Sequence, residues 1–300
     1  MNPLGKKADS LTPEPPIALA PREFDQIRQL AYRSFGLDLK SGKEELVCAR
    51  LRKLVRDGGF QSFDGYYRSV LADTTGESLA AMIDALATNH TSFLREPDHF
   101  DFLRRDVLPA LASRRSVEAW SAACSTGEEV WTLAIVLSEA LGGRSHLVTG
   151  TDISKRALAF AERAIYPRER CQGLPAEWLA RHFVPQGRPP EAWRISPTLR
   201  SSANFRRLNL VESYPWRQQY PVIFCRNVMI YFDQPTQERV IAQLSDCLEP
   251  GGYLFVGHAE SLSRVSHKLE YVRPAVYRKP AAKLGKWKGA SPCPAGKLGY

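Results

Sequence analysis

A run of small residues followed by two glutamates comes directly after one apolar segment of the chain. The next apolar segment ends in an aspartate. The run A-A-C-S-T-G-E-E occupies residues 122–129, and Asp152 closes an apolar stretch 25 residues after Gly127. Small residues let a backbone approach a ligand closely, and an acid at a strand end accepts hydrogen bonds from ribose hydroxyls. The charge of Glu128 and Glu129 favours a cationic, amine-bearing ligand over a pyrophosphate, so a dinucleotide is disfavoured. A structural turn with acids at a helix N-terminus would leave the same pattern.

Two further segments carry polar residues where packing seldom needs them. The run C-R-N-V-M-I-Y-F spans residues 225–232, with Arg226 and Asn227 at the end of an apolar strand and Tyr231 four residues after Asn227. The run N-H-T-S-F-L-R spans residues 89–95 and lies between two helical segments. Both are candidate ligand contacts. The structural alternatives are a loop anchor for the first and a capped junction with a surface arginine for the second.

The elements that must position these residues fall into two groups. Four helical stretches come first and predict a small all-helical domain over residues 21–88. They lie at residues 22–35, 43–56, 63–71 and 78–87. From residue 117 onward, β-rich runs alternate with helical ones, which predicts an α/β domain with a mostly parallel sheet and helices on both faces. Ligands of such sheets bind beyond the carboxyl ends of the strands, where the candidate loops lie.

A Pro-rich stretch interrupts the alternation. Between about residues 167 and 205, six prolines separate short helical and β-prone runs. This stretch is too long for a plain connection and predicts an inserted small β subdomain within a domain of residues 89–278. Residues 270–278 are predicted to form one further strand. Disordered tails are predicted over residues 1–20 and, because it is rich in lysine without acids, over residues 279–300.

Composition narrows the class of protein. No apolar run approaches the roughly 20 residues of a membrane span, and the N-terminus lacks a signal-peptide core, so a cytoplasmic protein is expected. The six cysteines are scattered without zinc-ligand spacing, so no metal site is expected. The net charge is +9, of which five lysines beyond residue 278 supply +5 and leave +4 for the rest. The charge is therefore weak support for nucleic-acid binding.

Taken together, the motifs resemble those of one family. They are N-x-T-x-F-x-R, W-S-A-A-x-S-T-G-E-E, the strand-ending Asp152, N-L, F-C-R-N-V-M-I-Y-F-D and P-G-G-Y-L-F-x-G-H-x-E-S. In order and spacing they closely resemble the CheR-type chemotaxis receptor glutamate O-methyltransferases, and the resemblance covers about residues 21–278. The sequence departs from the common pattern at Leu94, where Phe is expected, and at Cys124, where a small residue such as Ala is expected.

The resemblance implies a Rossmann-like methyltransferase domain that binds S-adenosylmethionine, releases S-adenosylhomocysteine and needs no metal. The residues implied to touch the cofactor are Asn89, Thr91, Arg95, Glu129, Asp152, Asn209, Leu210, Cys225 and Arg226. Arg95 and Tyr231 fall at family positions beside the transferable methyl group and are implied as catalytic residues. Whether Glu128 shares the role of Glu129 stays open.

The implied substrate is a glutamate side chain of a methyl-accepting chemotaxis receptor, whose cytoplasmic helices form acidic coiled coils. An ionised carboxylate needs no general base, so alignment by Arg95 and Tyr231 is the expected contribution of the protein. Arg50, Lys53 and Arg56 lie near one another on the second helical stretch and are candidates for docking an acidic helix. The alternative is a solvated basic face of no special use. A monomer that neither inserts into membranes nor binds nucleic acid is expected.

Two other functions stay open at this stage. One is a non-catalytic signalling module that binds S-adenosylmethionine or its product. The other is a nucleic-acid methyltransferase, which the pI of 9.3 suggests. No N-P-P-Y-like motif of amine methylation occurs in the sequence, and this absence disfavours the second function.

Overall fold

The structure is a computed structural model that describes residues 17–87 and 90–281. Most of both predicted tails lies outside the described residues, and so does Asn89, one of the predicted cofactor contacts. Across the described ranges, no helix is both long and apolar enough to cross a membrane.

The folded chain extends past the predicted tail boundaries at both ends. Ile17 and Leu19, placed by the sequence in the N-terminal tail, pack against the core of the helical domain. Lys279, placed in the C-terminal tail, donates its backbone N–H to Gly252 O at 2.8 Å and its Nζ to Ser245 O at 2.7 Å. The boundaries predicted at residues 20 and 279 are therefore a few residues off, because core packing and sheet hydrogen bonds hold the flanking backbone.

Four helices form the N-terminal domain, each ending within one residue of its predicted bounds. They are α1 (Pro21–Phe35), α2 (Glu44–Asp57), α3 (Phe63–Ala72) and α4 (Glu77–Leu86). Val47, Leu51 and Val55 of α2 recur at a spacing of four and are fully buried, so they form the stripe that faces the core. At the start of α3, Ser62 Oγ accepts the Gly65 N–H at 3.1 Å and caps the helix.

The second domain is built on a seven-stranded sheet with the order β6-β2-β1-β7-β8-β10-β9. The strands of the described chain are β1 (Ser116–Ala122), β2 (Ser145–Asp152), β3 (Ile165–Pro167), β4 (Phe183–Gln186), β5 (Ala192–Ile195), β6 (Ala203–Arg207), β7 (Tyr220–Cys225), β8 (Leu248–Phe255), β9 (Glu270–Arg273) and β10 (Val276–Arg278). The five strands from β6 to β8 run parallel, and β10 and β9 add an antiparallel edge. The predicted mostly parallel sheet is confirmed.

Helices cover both faces of this sheet. Those of the second domain are α5 (Pro97–Phe102), α6 (Leu108–Leu111), α7 (Glu128–Leu141), α8 (Lys155–Arg163), α9 (Ala176–His182), α10 (Pro197–Arg200) and α11 (Gln234–Asp246). A π-helical turn, Leu103–Val107, joins α5 to α6, and 3-10 turns lie at Arg168–Cys171, Met229–Tyr231 and Leu262–Arg264. Leu133 and Val136 of α7 lie in one buried cluster, and Val240 and Leu244 of α11 lie in another on the opposite face.

The Pro-rich stretch forms a separate antiparallel sheet of order β3-β5-β4. This small sheet begins at Ile165, close to the predicted start at about residue 167. Ala203–Arg207, which overlaps the predicted end at about residue 205, pairs in parallel with β2 in the large sheet. The single strand predicted at residues 270–278 is instead a hairpin. Its turn contains Ala275 with a φ of 63°, which reverses the chain between β9 and β10.

The strand order fixes where a ligand can bind. From β1 the chain first moves through α7 to β2 on one side, and it later returns to place β7 on the other side of β1. The reversal leaves a crevice between the carboxyl ends of β1 and β7, which is the usual ligand site of open α/β sheets.

Candidate functional site

A cleft of about 1010 Å³, including its open mouth, lies at this reversal point. Segments that follow β1, β2, β6 and β7 form its floor. The predicted site residues that line it are Thr91, Arg95, Glu129, Asp152, Asn209, Leu210, Arg226 and Tyr231. Residues far apart in sequence therefore meet at one place.

The loop after β1 is curled so that its backbone faces the cleft. Ala123 and Ser125 have φ values of 66° and 51°, and Gly127 has a φ of 91°. A Cβ at Gly127 would lie 2.7 Å from the Ala161 Cβ, so only glycine fits this turn. The Ser125 hydroxyl is buried and, among the described residues, has no hydrogen-bond partner. The loop thus holds an unsatisfied polar group at a residue that lines the cleft.

Asp152, at the end of β2, anchors the same loop. Its Oδ2 accepts the Ser125 N–H at 2.7 Å, and its Oδ1 accepts the Ser154 N–H at 2.9 Å. Burial raises the pKa of Asp152 above its ordinary value, and the two backbone N–H groups offset part of this effect. Each oxygen keeps a further acceptor position, so the side chain is suited to bind a ligand hydroxyl.

Arg226 lies at the centre of a buried charge cluster. Its side chain is 1% exposed and sits 3.0 Å from Glu96 Oε2 and 3.1 Å from Glu129 Oε2. It also donates to Arg95 O at 2.5 Å, while Ser121 Oγ donates to Glu129 Oε1 at 2.7 Å. Arg226 therefore connects the strand-end motif to the linker motif and to the loop after β1.

The two carboxylates of this cluster titrate differently. Although burial raises the pKa of Glu96, attraction to Arg226 and a hydrogen bond from Asn227 outweigh it, and the pKa lies below its ordinary value. Burial raises the pKa of Glu129, and Arg226 and Ser121 only partly offset the shift. Glu96, which sequence analysis did not identify, adopts a φ of 56°, a left-handed conformation that is uncommon outside glycine.

Glu128 and Glu129 have different surroundings. Glu128 is fully buried, and its Oε1 lies 2.7 Å from Arg170 Nη1 of the inserted subdomain. Its Oε2 accepts the Thr126 hydroxyl at 2.7 Å. Glu129 lines the cleft, whereas Glu128 does not. Glu128 therefore holds the loop to the inserted subdomain.

The predicted catalytic pair faces the cleft from two segments. Arg95 is half-buried, and its Nη1 donates to His90 O at 2.8 Å. Tyr231 is half-buried at the end of a 3-10 turn, and its carbonyl accepts the Asp38 N–H at 2.8 Å. Within the described ranges, the Tyr231 hydroxyl has no hydrogen-bond partner, so both side chains keep donors for a ligand.

Asn209 lines the cleft, but its side-chain amide is engaged elsewhere. Its Nδ2 donates to Ser34 O of α1 at 2.8 Å and to Glu212 Oε1 at 2.7 Å. The Asn209 side chain therefore joins the helical domain to the sheet domain. Leu210 is 6% exposed and packs in the apolar cluster beside it.

Cys225, a predicted cofactor contact, is not among the residues that line the cleft. It is the last residue of β7, a strand buried along its whole length, and its side chain is fully enclosed by the core. Burial raises the pKa of the Cys225 thiol well above its ordinary value, so the thiol stays protonated. The cofactor contact predicted at Cys225 stays a prediction; its side chain lies in the core, and the chain reaches the cleft at the next residue, Arg226.

The predicted docking residues on α2 are not equivalent. Lys53 and Arg56 are exposed, and Arg56 pairs with Asp57 at 3.5 Å. Arg50 is half-buried and donates to the carbonyl of Leu86 at the end of α4. Arg50 therefore contributes to packing between helices, whereas Lys53 and Arg56 present charge to solvent.

Sequence analysis missed the part of the cleft wall that the helical domain supplies. Phe35, Leu37, Ile83 and Leu86 line the cleft opposite the sheet. Phe35, Ile83 and Leu86 fall within predicted helical stretches, but periodicity does not distinguish a core residue from one at a domain junction.

Within the described part of the chain, one group of residues with metal-ligating side chains lies beside the cleft. Ligand atoms of Glu96, His99 and His258 lie within 4.8 Å of one another. Both Glu96 oxygens already accept hydrogen bonds, Oε2 from Arg226 and Oε1 from Asn227. The Arg226 guanidinium beside them opposes a second cation, so this geometry does not favour a metal ion.

Two family models match the chain. Residues 22–87 match the CheR methyltransferase all-alpha domain, and residues 89–277 match the CheR methyltransferase SAM binding domain. The chain is 35% identical over 268 residues to the chemotaxis protein methyltransferase of Borreliella burgdorferi, covering 86% of this chain and 94% of the relative. It is 37% identical over 260 residues to chemotaxis protein methyltransferase 2 of Pseudomonas aeruginosa, covering 85% of this chain and 92% of the relative. It is 35% identical over 268 residues to the chemotaxis protein methyltransferase of Escherichia coli, covering 87% of this chain and 92% of the relative. With a helical domain followed by a parallel-sheet domain whose motifs meet at one cleft, the chain belongs to the CheR methyltransferase family.

Proposed function

We propose that this protein transfers the methyl group of S-adenosylmethionine to glutamate side chains of chemotaxis receptors and forms glutamate methyl esters. The observation that carries the proposal is that Arg95 and Tyr231 line the same cleft as Glu129 and Asp152. The first pair is suited to an acceptor carboxylate, and the second pair is suited to a cationic donor with ribose hydroxyls. The names of the relatives, chemotaxis protein methyltransferases, support the substrate class.

The cleft residues fit S-adenosylmethionine, which supplies an electrophilic methyl group on a sulfonium. Asp152 offers acceptor positions for ribose hydroxyls, and the buried Ser125 hydroxyl has no partner of its own among the described residues. Glu129 places negative charge in the cleft, only partly neutralised by Arg226. Apolar side chains such as Leu210 supply a surface on which a flat aromatic ring packs.

The acceptor needs orientation rather than activation. A glutamate carboxylate is ionised near pH 7, so no residue has to remove a proton. Among the described residues, the Arg95 side chain donates one hydrogen bond, to His90 O, so its remaining N–H groups can hold a carboxylate. The free Tyr231 hydroxyl offers a second contact. Holding the carboxylate in line with the reacting bond is worth several orders of magnitude in rate.

The receptor helix is proposed to dock on exposed basic residues of α2. Arg52, Lys53 and Arg56 are exposed on this helix. An acidic coiled coil on the cytoplasmic side of a receptor would be attracted to this charge. A single copy of the chain provides all these contacts, so we propose that the protein acts as a monomer.

The test is incubation of the protein with radiolabelled S-adenosylmethionine and receptor cytoplasmic fragments. We expect label in the receptor that is released as methanol by mild base, the behaviour of a methyl ester. Receptor fragments whose methylatable glutamates are changed to alanine are the control and should remain unlabelled.

Three other outcomes would contradict the proposal. Cofactor binding without any label transfer would favour a non-catalytic binding module. Base-stable label would exclude glutamate esters. Transfer to RNA with a steep salt dependence would favour a nucleic-acid enzyme.

A further inference from the structure

Glu260 belongs to the G-H-x-E-S part of the late motif, and the mechanism above gives it no role. It follows β8, where Gly257 and His258 leave the sheet, and it is only 6% exposed. A buried carboxylate is costly unless hydrogen bonds and charges satisfy it, so its partners show what it does.

The partners of Glu260 are backbone N–H groups from two separate segments. Its Oε2 accepts the Gly257 N–H at 2.6 Å and the Asn227 N–H at 2.8 Å. Its Oε1 accepts the Ile230 N–H at 3.3 Å. No cation lies within ion-pair distance of Glu260 among the described residues, so the buried carboxylate is held by backbone N–H donors instead.

The clamped segment begins at Asn227 and leads directly to Tyr231. Asn227 has a φ of 59°, in the left-handed region that asparagine adopts more readily than most other non-glycine residues, so the chain turns sharply here. The 3-10 turn Met229–Tyr231 follows at once, with a hydrogen bond from Tyr231 N to Val228 O at 3.1 Å. Fixing the N–H groups of Asn227 and Ile230 therefore fixes the turn from which Tyr231 projects.

The approach of the two segments is too close for a side chain at position 257. A Cβ at Gly257 would lie 2.5 Å from Asn227 Nδ2 and 2.8 Å from Glu260 Oε2. Glycine at position 257 therefore allows the two segments to approach each other, and the Glu260 carboxylate joins them by hydrogen bonds. Both belong to the motif that the sequence singled out.

We infer that Glu260 is a positioning residue that sets the placement of Tyr231 in the cleft by clamping the backbone of residues 227–230. The inference rests on the proposed function for the role of Tyr231, although the clamp itself does not. Glu260 does not line the cleft, so it acts through the loop and not by touching substrate.

The test compares Glu260→Gln and Glu260→Asp with the wild-type protein. In Glu260→Gln an NH2 group replaces one oxygen and faces N–H donors, so bonds on that side are lost. We expect kcat for a receptor fragment to fall about tenfold or more, while the Kd of S-adenosylmethionine changes less than about twofold, because charged hydrogen bonds of this kind are worth about one to two powers of ten. Glu260→Asp keeps both oxygens on a shorter arm and should recover part of the loss.

Hydrogen exchange gives a readout that does not depend on catalysis. The amides of Asn227, Ile230 and Gly257 should exchange about tenfold faster in Glu260→Gln, with other sheet amides unchanged. Glu238→Gln is the matched control, since Glu238 also accepts a loop N–H, from Ser266 at 3.3 Å, but away from the cleft. Unchanged exchange at these amides overturns the inference. If wild-type protein methylates no receptor, the proposed function fails, and the exchange result still decides the role of Glu260.

Discussion

Replacing Arg226 with methionine should destabilise the protein strongly. The side chain is 1% exposed and lies about equally close to Glu96 and Glu129, at 3.0 and 3.1 Å. Methionine keeps an unbranched apolar side chain but removes the guanidinium group, whose carbon lies 5.6 Å from the ring centre of Phe100 and 5.7 Å from that of Phe224. Two carboxylates are then left facing each other in the interior.

The size of the effect follows from burial. Removing one partner of a buried ion pair costs about 3–5 kcal/mol, because the remaining charge has lost its compensation. An exposed pair is worth about 0–1 kcal/mol. Arg105→Met is the matched control, since the Arg105 side chain is 75% exposed and lies 3.6 Å from Asp101.

The loss of unfolding free energy in Arg226→Met should be smaller at low pH than at neutral pH. In the wild-type protein the depressed pKa of Glu96 stabilises the fold above the ordinary carboxyl value, and this contribution is lost as pH falls through the lowered pKa. The raised pKa of Glu129 acts oppositely, since it costs stability once pH rises above the ordinary value. Without Arg226 both carboxyl groups would bind protons more readily. The difference between wild type and Arg226→Met should therefore shrink as pH is lowered from 7 towards 4.

The assay is urea unfolding followed by tryptophan fluorescence, with free energies extrapolated to water. Adding Glu96→Gln and Glu129→Gln to Arg226→Met should restore part of the stability, because the uncompensated charges are removed. A loss below about 1 kcal/mol, equal to that of the Arg105 control, would refute the argument that buried charge compensation dominates here. So would a triple variant less stable than Arg226→Met alone.

Three further outcomes are expected. Asp152→Ala should weaken S-adenosylmethionine binding by about 1.5–3 kcal/mol in calorimetry, since a charged acceptor is removed, and an unchanged affinity would take Asp152 out of the site. Arg95→Ala should lower kcat about 100-fold with little change in cofactor Kd, because alignment is lost, and Arg95→Lys should recover only part; equal losses of affinity and rate would make Arg95 a cofactor-binding residue. Charge reversal at Arg52, Lys53 and Arg56 should raise the KM for an acidic receptor helix, and the increase should become smaller at higher salt. If deletion of the lysine-rich C-terminal tail raises the KM and the charge reversal does not, α2 is not the docking surface.

The sequence was sufficient to predict the helices and the mostly parallel sheet, because the patterns that specify them lie within short segments of the chain. Each helix of the first domain has a complete apolar stripe, such as Val47, Leu51 and Val55, and the parallel strands are short β-rich runs between helices. Errors arose where long-range pairing decides the outcome. Ala203–Arg207 looks like part of the Pro-rich insertion but pairs with β2, and no local feature of the sequence specifies that partner.

For the candidate site, the sequence motifs identified which segments of the chain lie at the cleft, but they did not identify what each side chain contacts. Cys225 is enclosed by the apolar core, whereas the adjacent Arg226, also buried, lines the cleft and pairs with Glu96 and Glu129, so neighbouring residues of one motif have different partners. Asn209 lines the cleft while its amide bonds to Ser34 of the other domain. The partner of a polar side chain is set by tertiary packing, which a motif does not encode.

Glu128 and Glu129 show why this limit matters for function. Consecutive residues on a helix point about 100° apart, so two adjacent acids at the start of α7 face different neighbours. Glu129 is turned towards Ser121 and Arg226, and Glu128 is turned towards Arg170 in the inserted subdomain. Because the Tyr166 hydroxyl from the same subdomain also donates to Thr126 O at 2.7 Å, the inserted subdomain holds the loop after β1 at two points. Glu128 thus affects the cleft through the shape of its loop, whereas Glu129 lines the cleft itself, where we propose that its charge attracts the cationic cofactor.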